Sequence, residues 1–309
     1  MKIIFFGASS QIAKGLIKKF SKDSHNQLTF FVRNRDGFYE WLINEGIPHD
    51  HSHIKIYSEF SVNDSVDVII NCIGIGDPAK AIKISASIDD TTNKFDDLVL
   101  NYLALNPNTK YIFLSSGIAY GDIFSAPARN YDQQNIKINS LEPKHQYAIS
   151  KIKAENKHRK LSKFSIVDIR IFSYLSDEID INNKFFITDV LRAIKEDTVF
   201  LTNKKNITRD YIGADDLYQL IDKLISIDGL NTIVDAYSKE PIDKFTILEF
   251  LKSSFGLRYQ FQETFKALNA TGDKDHYYSK NFFAKDFGYS PKYSSKEIIT
   301  MVAQKILMS

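Results

Sequence analysis

A phenol and an ammonium stand four residues apart in Tyr147-Ala148-Ile149-Ser150-Lys151. On a helix that spacing puts both groups on one face, one turn apart. A tyrosine at its ordinary pKa of about 10 is a poor acid–base group at neutral pH, but a neighbouring Lys⁺ stabilises the phenolate and draws its pKa toward the working range. The pattern also recurs by chance on solvated helices, so it needs company. One companion is Ser115-Ser116-Gly117-Ile118-Ala119-Tyr120-Gly121, a hydroxyl-bearing turn directly after an apolar segment. Another is Gly7-Ala8-Ser9-Ser10-Gln11-Ile12-Ala13, where an apolar run breaks before an amphipathic pattern. Amide N–H groups and the positive end of a helix at such a turn can hold a pyrophosphate. The plain alternative is a strand-to-helix turn with no ligand. A dinucleotide fingerprint has glycine at three positions here, and this chain keeps Gly7 with Ser10 and Ala13 at the other two. Alanine is a known variant at the third. Ser10 is the real departure, because its side chain either obstructs the phosphate or donates a hydroxyl to it.

These groups need elements to bring them together. Ile3–Phe6 is rich in β-formers, and Ile12, Leu16, Ile17 and Phe20 follow at helical spacing, which reads as strand, turn, helix. Further strands are predicted at Leu28–Val32, Ile54–Phe60, Tyr111–Leu114 and Ser165–Phe172. Another is predicted at Val66–Ile73, an apolar run ending at Gly74 that suits a strand buried on both faces. Helices are predicted around Trp41, through Phe95, Leu98, Val99, Tyr102 and Leu103, and from Gln146 to about Leu161. Strands alternating with helices over about 170 residues imply an α/β fold with a doubly wound parallel sheet. The expected organisation is a dinucleotide-binding domain over residues 1–172 and a smaller substrate-binding lobe over 173–309, with room for the chain to cross back. Helices are expected in that lobe at Phe185–Glu196, Asp215–Ile227 and Ser295–Leu307.

At the end of the second strand an acidic residue would bind the ribose 2′-hydroxyl of NAD. The chain instead reads Val32-Arg33-Asn34-Arg35. A guanidinium suits a 2′-phosphate, so the expectation leans to NADP, with Arg33 first and Arg35 second. The bland reading is two solvated arginines, and Asp36 keeps NAD open.

Composition bounds the partners. Of 309 residues 43% are hydrophobic and 25% charged, which excludes disordered and fibrous classes. Forty basic residues against 38 acidic ones give a net charge of +2, dispersed along the chain, so neither nucleic acid nor an anionic membrane is expected. Cys72 is the only cysteine, which leaves no internal disulfide and points to a reducing, cytoplasmic setting. No apolar stretch reaches the roughly 18 residues that would suggest a membrane span.

Taken together, the motifs resemble the extended short-chain dehydrogenase/reductases, the NAD(P)-dependent nucleotide-sugar epimerase, dehydratase and reductase family. Six pieces stand in that family's order: Gly7 to Ala13, Asn71-Cys72-Ile73-Gly74, Ser115 to Gly121, Tyr147 to Lys151, Arg170-Ile171-Phe172-Ser173, and Arg209-Asp210-Tyr211-Ile212-Gly213-Ala214-Asp215-Asp216-Leu217. The resemblance implies that Ser116 holds the reacting sugar oxygen, Tyr147 is the acid–base and Lys151 its partner. It also implies that Gly7, Ser9, Ser10, Gln11 and Ile12 form the pyrophosphate turn. Asn71, Cys72, Ile73, Gly74 and Ser115 would line the cofactor, Ser173 would stand near the substrate, and Arg209 would meet the nucleotide diphosphate. A homodimer on the helices near Phe95–Leu105 and Gln146–Leu161 is implied too.

Departures sharpen the expectation. Ser116 is followed by Gly117-Ile118, without the Asp-Glu pair of the sugar 4,6-dehydratases. Leu175-Ser176 replaces the usual Gly-Pro, and Ala86 to Tyr102 lacks the Asn-x-x-Gly-Thr pattern. The sequence therefore favours reduction of a nucleotide-linked keto-sugar, with carbon-4 epimerisation by tightly bound NAD as the alternative. Outside enzymes, the alternatives are a non-catalytic dinucleotide-binding regulator and a scaffold that uses the fold only to dimerise. His49, His51 and His53 alternate as if to ligate a metal, but read better as a solvated loop. Cys72 reads as packing, the basic run Lys151–Lys160 as a solvated face, and Asp215-Asp216 as a helix cap.

Overall fold

The computed structural model describes residues 1–74, 85–121, 124–129, 146–262 and 274–308. Its centre is a seven-stranded, all-parallel sheet of β1 (Lys2–Phe6), β2 (Gln27–Phe31), β3 (Ile54–Lys55), β4 (Val68–Asn71), β5 (Lys110–Ser116), β6 (Ile166–Ile171) and β11 (Thr232–Ala236). The spatial order is β11-β6-β5-β4-β1-β2-β3, so the strand order reverses beside β1, between β1 and β4. Ligands bind such sheets at the carboxyl ends of strands, at that reversal.

Period-two alternation sends β1 to both faces. Ile3 and Phe5 pack with helix α1 (Gln11–Phe20), while Ile4 and Phe6 pack on the opposite side with helix α3 (Ser85–Leu105). Helix α2 (Arg35–Asn44) lies on the α1 face, where Phe38 and Leu42 are buried, and helix α4 (Gln146–Lys160) lies on the α3 face through Ala154. The predicted third strand is cut short. After Ile54–Lys55 the chain turns through a single 3₁₀ turn, Tyr57–Glu59, which lifts Tyr57 over the sheet edge.

After β6 the chain leaves the large sheet and later returns to it. Short strands β7 (Ser173–Tyr174) and β10 (Tyr211–Ile212) pair in parallel, and between them come helix α5 (Phe186–Lys195) and strands β8 (Val199–Thr202) and β9 (Thr208–Arg209). Helix α6 (Ala214–Ile225) and β11 then return to the large sheet, where Leu217, Leu220 and Leu224 join the α1-side core. Beyond them lie β12 (Ile242–Asp243), α7 (Lys244–Phe255), β13 (Arg258–Phe261), β14 (His276–Tyr277) and α8 (Ser295–Leu307). A second core of Leu175, Leu191, Leu248, Leu251 and Ile299 closes this lobe.

Two expectations change here. Gly213, not an aspartate, is the residue before α6; Asp216 is buried and accepts from Lys292 N and Tyr293 N at 2.8 and 3.1 Å, pinning the approach to α8. The basic run on α4 is not wholly solvated, because His158 is fully buried. His51–His53 form a short 3₁₀ turn, not a strand, and among the described residues no cluster of His, Cys, Asp or Glu could hold a metal ion. No helix among the described residues is long and apolar enough to cross a membrane.

Candidate active site

The Gly7 turn is built for close approach. Gly7 has φ +72°, and a Cβ there would lie 3.1 Å from the Cys72 carbonyl carbon and the Ile73 nitrogen. Glycine is required by both geometry and space. Ser10 sits in an extended conformation, φ −74° and ψ 153°, that any residue adopts, so the missing second glycine brings no strain. Its Oγ accepts from Ala13 N at 3.3 Å as the N-cap of α1. That leaves the Ser10 hydroxyl proton and the first helical amides, Gln11 and Ile12, for an anion. The Gln11 Nε2 is buried at the same turn without a partner, a donor suited to a phosphate oxygen. The turn therefore fits a dinucleotide pyrophosphate. Ser9 is exposed on it.

Across the strand reversal, β4 ends at Asn71, whose side chain faces inward. Its Nδ2 donates to Tyr111 Oη at 2.9 Å and its Oδ1 accepts from Ile73 N at 2.9 Å, fixing the path of Cys72, Ile73 and Gly74 beside the Gly7 turn. Cys72 is buried, and desolvation pushes its thiol well up, as packing and not nucleophilic chemistry demands.

Lys151 is almost fully buried on α4. Its Nζ donates to Leu114 O at 2.8 Å and lies 4.3 Å from the Phe113 ring. A Cβ at Gly74 would come 3.6 Å from that Nζ, which places the ammonium beside the end of the Asn71–Gly74 segment. Burial lowers the Lys151 pKa to about 8, against the pull of Glu155, Asp96 and Asp168. Tyr147 lies one turn earlier, its ring centroid 5.8 Å from Nζ. Burial raises the Tyr147 phenol, opposite to the direction the sequence suggests, and a hydrogen bond from Ser116 opposes that rise. A phenol that must ionise here draws on that serine and on whatever charge binds beside it.

Ser116 ends β5, with its Oγ 3.2 Å from Tyr277 Oη and 3.4 Å from Ile118 N. Ser115 turns the other way, donating to Glu155 Oε1 at 2.5 Å. Glu155 also takes Arg170 Nε at 3.0 and 3.2 Å, and the buried guanidinium lies 4.3 Å from the centre of the Tyr120 ring. Tyr120 in turn donates to Asp235 Oδ2 at 2.8 Å, and burial raises the Asp235 carboxyl to about 6. This chain underpins the floor of the site.

From the C-terminal lobe, Ser173 is half-buried in β7 opposite Tyr211. Arg209 is buried in β9 beside Tyr277, to which it is register-paired, and its Nη1 donates to Thr208 O and Lys274 O at 2.8 Å each. The two arginines expected at the second strand part company. Arg35 forms an ion pair with Glu59, while Arg33 is exposed at the carboxyl edge. Sequence reasoning missed Tyr277, Glu155 and Asp235. Glu155 lies four residues after Lys151, a helical repeat that could have marked it, whereas Tyr277 and Asp235 carry no local signal.

The profile of the NAD dependent epimerase/dehydratase family matches residues 3–231. Comparison with curated proteins returns no match. Among solved structures, a UDP-glucose-4-epimerase from Stenotrophomonas maltophila with bound NAD and formylated UDP-arabinopyranose superposes with a TM-score of 0.79 at 11% identity, covering 100% of this chain and 98% of that one. UDP-glucuronic acid 4-epimerase from Bacillus cereus in complex with UDP-glucuronic acid and NAD gives 0.75 at 16% identity over 99% of both chains. UDP-N-acetylglucosamine 4-epimerase from Methanobrevibacter ruminantium M1 in complex with UDP-N-acetylmuramic acid gives 0.75 at 15% identity, covering 99% and 98%. The fold is thus shared over the full length of all three.

Proposed function

The chain belongs to the NAD dependent epimerase/dehydratase family, and from that premise we propose that it is an NAD-dependent enzyme that inverts a hydroxyl-bearing carbon of a nucleotide-linked sugar. The observation that carries this reading is the convergence of Ser116, Tyr147 and Lys151 on the strand reversal where Gly7, Gln11 and Ile12 offer a dinucleotide turn. A nicotinamide dinucleotide, when bound, supplies a hydride acceptor and donor. The protein's own part is proton handling and placement. Tyr147 takes the proton of the reacting hydroxyl as the carbon is oxidised, and returns it when the carbon is reduced from the other face. Ser116 holds the oxygen in line with Tyr147, and Lys151 supplies positive charge beside the phenolate.

NAD is the better reading of the cofactor. The NADP expectation rested on Arg33 first and Arg35 second, and the Arg35–Glu59 ion pair leaves Arg33 alone for a 2′-phosphate. The solved relatives titled with NAD support this choice. Epimerisation is accordingly favoured over the net reduction expected from the sequence, because cofactor regenerated in each turnover need not be supplied afresh. Arg209, buried between Thr208 and Lys274, is the residue for the nucleotide diphosphate, and Ser173 for the sugar edge. Dimerisation through the outer faces of α3 and α4 completes the proposal.

The test is direct. Freshly purified protein, denatured and examined by mass spectrometry, should release NAD(H). The native protein should convert UDP-glucose, UDP-glucuronic acid or UDP-N-acetylglucosamine to its 4-epimer without added cofactor, followed by NMR of the anomeric protons. Stoichiometric consumption of NADPH would replace epimerase by reductase. Failure to bind either dinucleotide would overturn the enzyme reading.

A further inference from the structure

A second phenol reaches the serine of the site from the opposite lobe. Tyr277 is held in β14 by its pairing with Arg209 in β9. Its ring packs on Phe124 and Phe172 at centroid distances of 4.8 and 5.2 Å, with the Arg209 guanidinium 5.9 Å away, and the residue is 3% exposed. The hydroxyl ends 3.2 Å from Ser116 Oγ. We propose that Tyr277 is a positioning residue whose hydroxyl donates to Ser116 Oγ and so turns the Ser116 proton toward the Tyr147 oxygen.

The argument is one of valence. A serine hydroxyl has one proton and two lone pairs. The single proton of the Ile118 N–H is shared between Ser116 Oγ, a long 3.4 Å from the nitrogen, and the Tyr277 oxygen. The Tyr277 oxygen, accepting from Ile118, keeps its own proton for Ser116. With one lone pair of Oγ taking the Tyr277 proton, the serine proton is left for Tyr147, to which Ser116 hydrogen-bonds, and the other lone pair stays open to the reacting sugar hydroxyl. Donation to a phenolate favours the ionised form, which Tyr147 needs in order to accept a proton. Burial holds the Tyr277 phenol protonated, so it remains a donor across the working range. The titratable and charged groups facing this pair among the described residues are Lys151 on the helix of Tyr147, and Arg209 and Lys274, 5.9 and 5.6 Å from the Tyr277 ring centre, from the other lobe. Because β14 and β9 belong to the C-terminal lobe, the arrangement makes the acid–base strength of one lobe depend on the seating of the other.

This inference rests on Ser116 and Tyr147 being the proton-handling pair of the proposed reaction. Tyr277→Phe keeps the ring packing and removes the hydroxyl. It should lower kcat about tenfold, the size expected for one lost hydrogen bond, while changing KM for the nucleotide sugar less than twofold. The acid limb of the kcat–pH profile, which reports the phenol that must be ionised, should move upward by about one pH unit. A role in packing alone would lower kcat evenly and leave the limb in place, and that result would overturn the proposal. A second readout needs no turnover. In protein labelled with ¹³Cζ-tyrosine, the resonance lost in Tyr147→Phe should titrate at higher pH in Tyr277→Phe, and equally in Ser116→Ala. Adding Tyr277→Phe to Ser116→Ala should then have no further effect. If the wild type turns over no nucleotide sugar, the functional reading fails, and an unmoved Tyr147 titration would still overturn the role of Tyr277 separately.

Discussion

The deepest charge cluster makes a quantitative prediction about the helix that carries Tyr147 and Lys151. His158, two turns beyond Lys151 on α4, is fully buried between two carboxylates, with Nε2 2.7 Å from Asp96 Oδ1 and Nδ1 2.6 Å from Asp168 Oδ1. Burial alone would depress the imidazole, but Asp168 and Asp96 outweigh it and raise its pKa from 6.5 to about 9. A group whose folded pKa is raised contributes stability that is complete below its unfolded pKa and is lost as the pH climbs through the folded one. At about 1.36 kcal/mol per tenfold in proton affinity, the imidazolium is worth about 3 kcal/mol at pH 6, about 1 kcal/mol at pH 8 and well under about 1 kcal/mol at pH 9. His158→Gln keeps one hydrogen-bond donor and abolishes the titration. The assay is urea denaturation of both proteins at half-unit intervals from pH 6 to pH 9. The gap in unfolding free energy between wild type and variant should shrink by about 2–3 kcal/mol across that window, on top of a constant offset. A gap that stays constant with pH would refute the doubly charged-paired imidazolium.

Two further outcomes follow from the site. Tyr147→Phe should cut turnover by at least about a hundredfold while leaving dinucleotide binding, read by NADH fluorescence, within about twofold of wild type; near-normal turnover would sink the assigned role. Gly7→Ala forces a side chain into a left-handed conformation and against the Cys72–Ile73 backbone. It should lose about 1–2 kcal/mol of stability by urea titration and weaken NADH binding at least about tenfold, and unchanged affinity would remove Gly7 from the cofactor site.

The parts of this fold that were legible in the sequence are those where one local pattern decides the outcome. Ile3–Phe6 and Val68–Asn71 are short, largely apolar segments whose two faces are both buried, and their composition says so directly. The Gly7 turn and the Tyr147–Lys151 helix were visible because both are contiguous motifs. What escaped depended on pairings distant in the chain. The predicted strand Ile54–Phe60 ended after two residues because Tyr57 and Phe60 pack on Phe6 and Phe31 from above the sheet, a tertiary contact that β-propensity does not register. His158 looked solvated because its neighbours Lys157, Arg159 and Lys160 are charged, yet its partners are Asp96 and Asp168, 62 and 10 residues away. Tyr277 reaches Ser116 across 161 residues. The partner of Arg35 was hidden for a similar reason, since Glu59 stands 24 residues downstream.

One face of α4 explains why so much charge is buried behind a site proposed to move a single proton. Lys151, Glu155 and His158 are spaced by four and three residues and so form one stripe turned to the sheet, where a helix of this kind ordinarily presents leucine and valine. Each member has its own partner: Leu114 O for Lys151, Arg170 and Ser115 for Glu155, and Asp96 with Asp168 for His158. Buried ion pairs are poor sources of net stability, because desolvation offsets most of the attraction. They are strict about geometry, however. An apolar stripe tolerates a small slide or roll of the helix, whereas a one-residue slip here would turn every member about 100° and leave charges buried without partners, a far larger penalty. Tyr147 and Lys151 ride on that same helix, so the stripe fixes their reach toward Ser116 and the Gly74 edge. The alternation of sign, from Lys151 through Glu155 and Arg170 to Asp235, also keeps the floor of the site close to neutral. On that floor the protonation of Tyr147 is set by Ser116 and by what binds, not by a fixed excess charge beneath it.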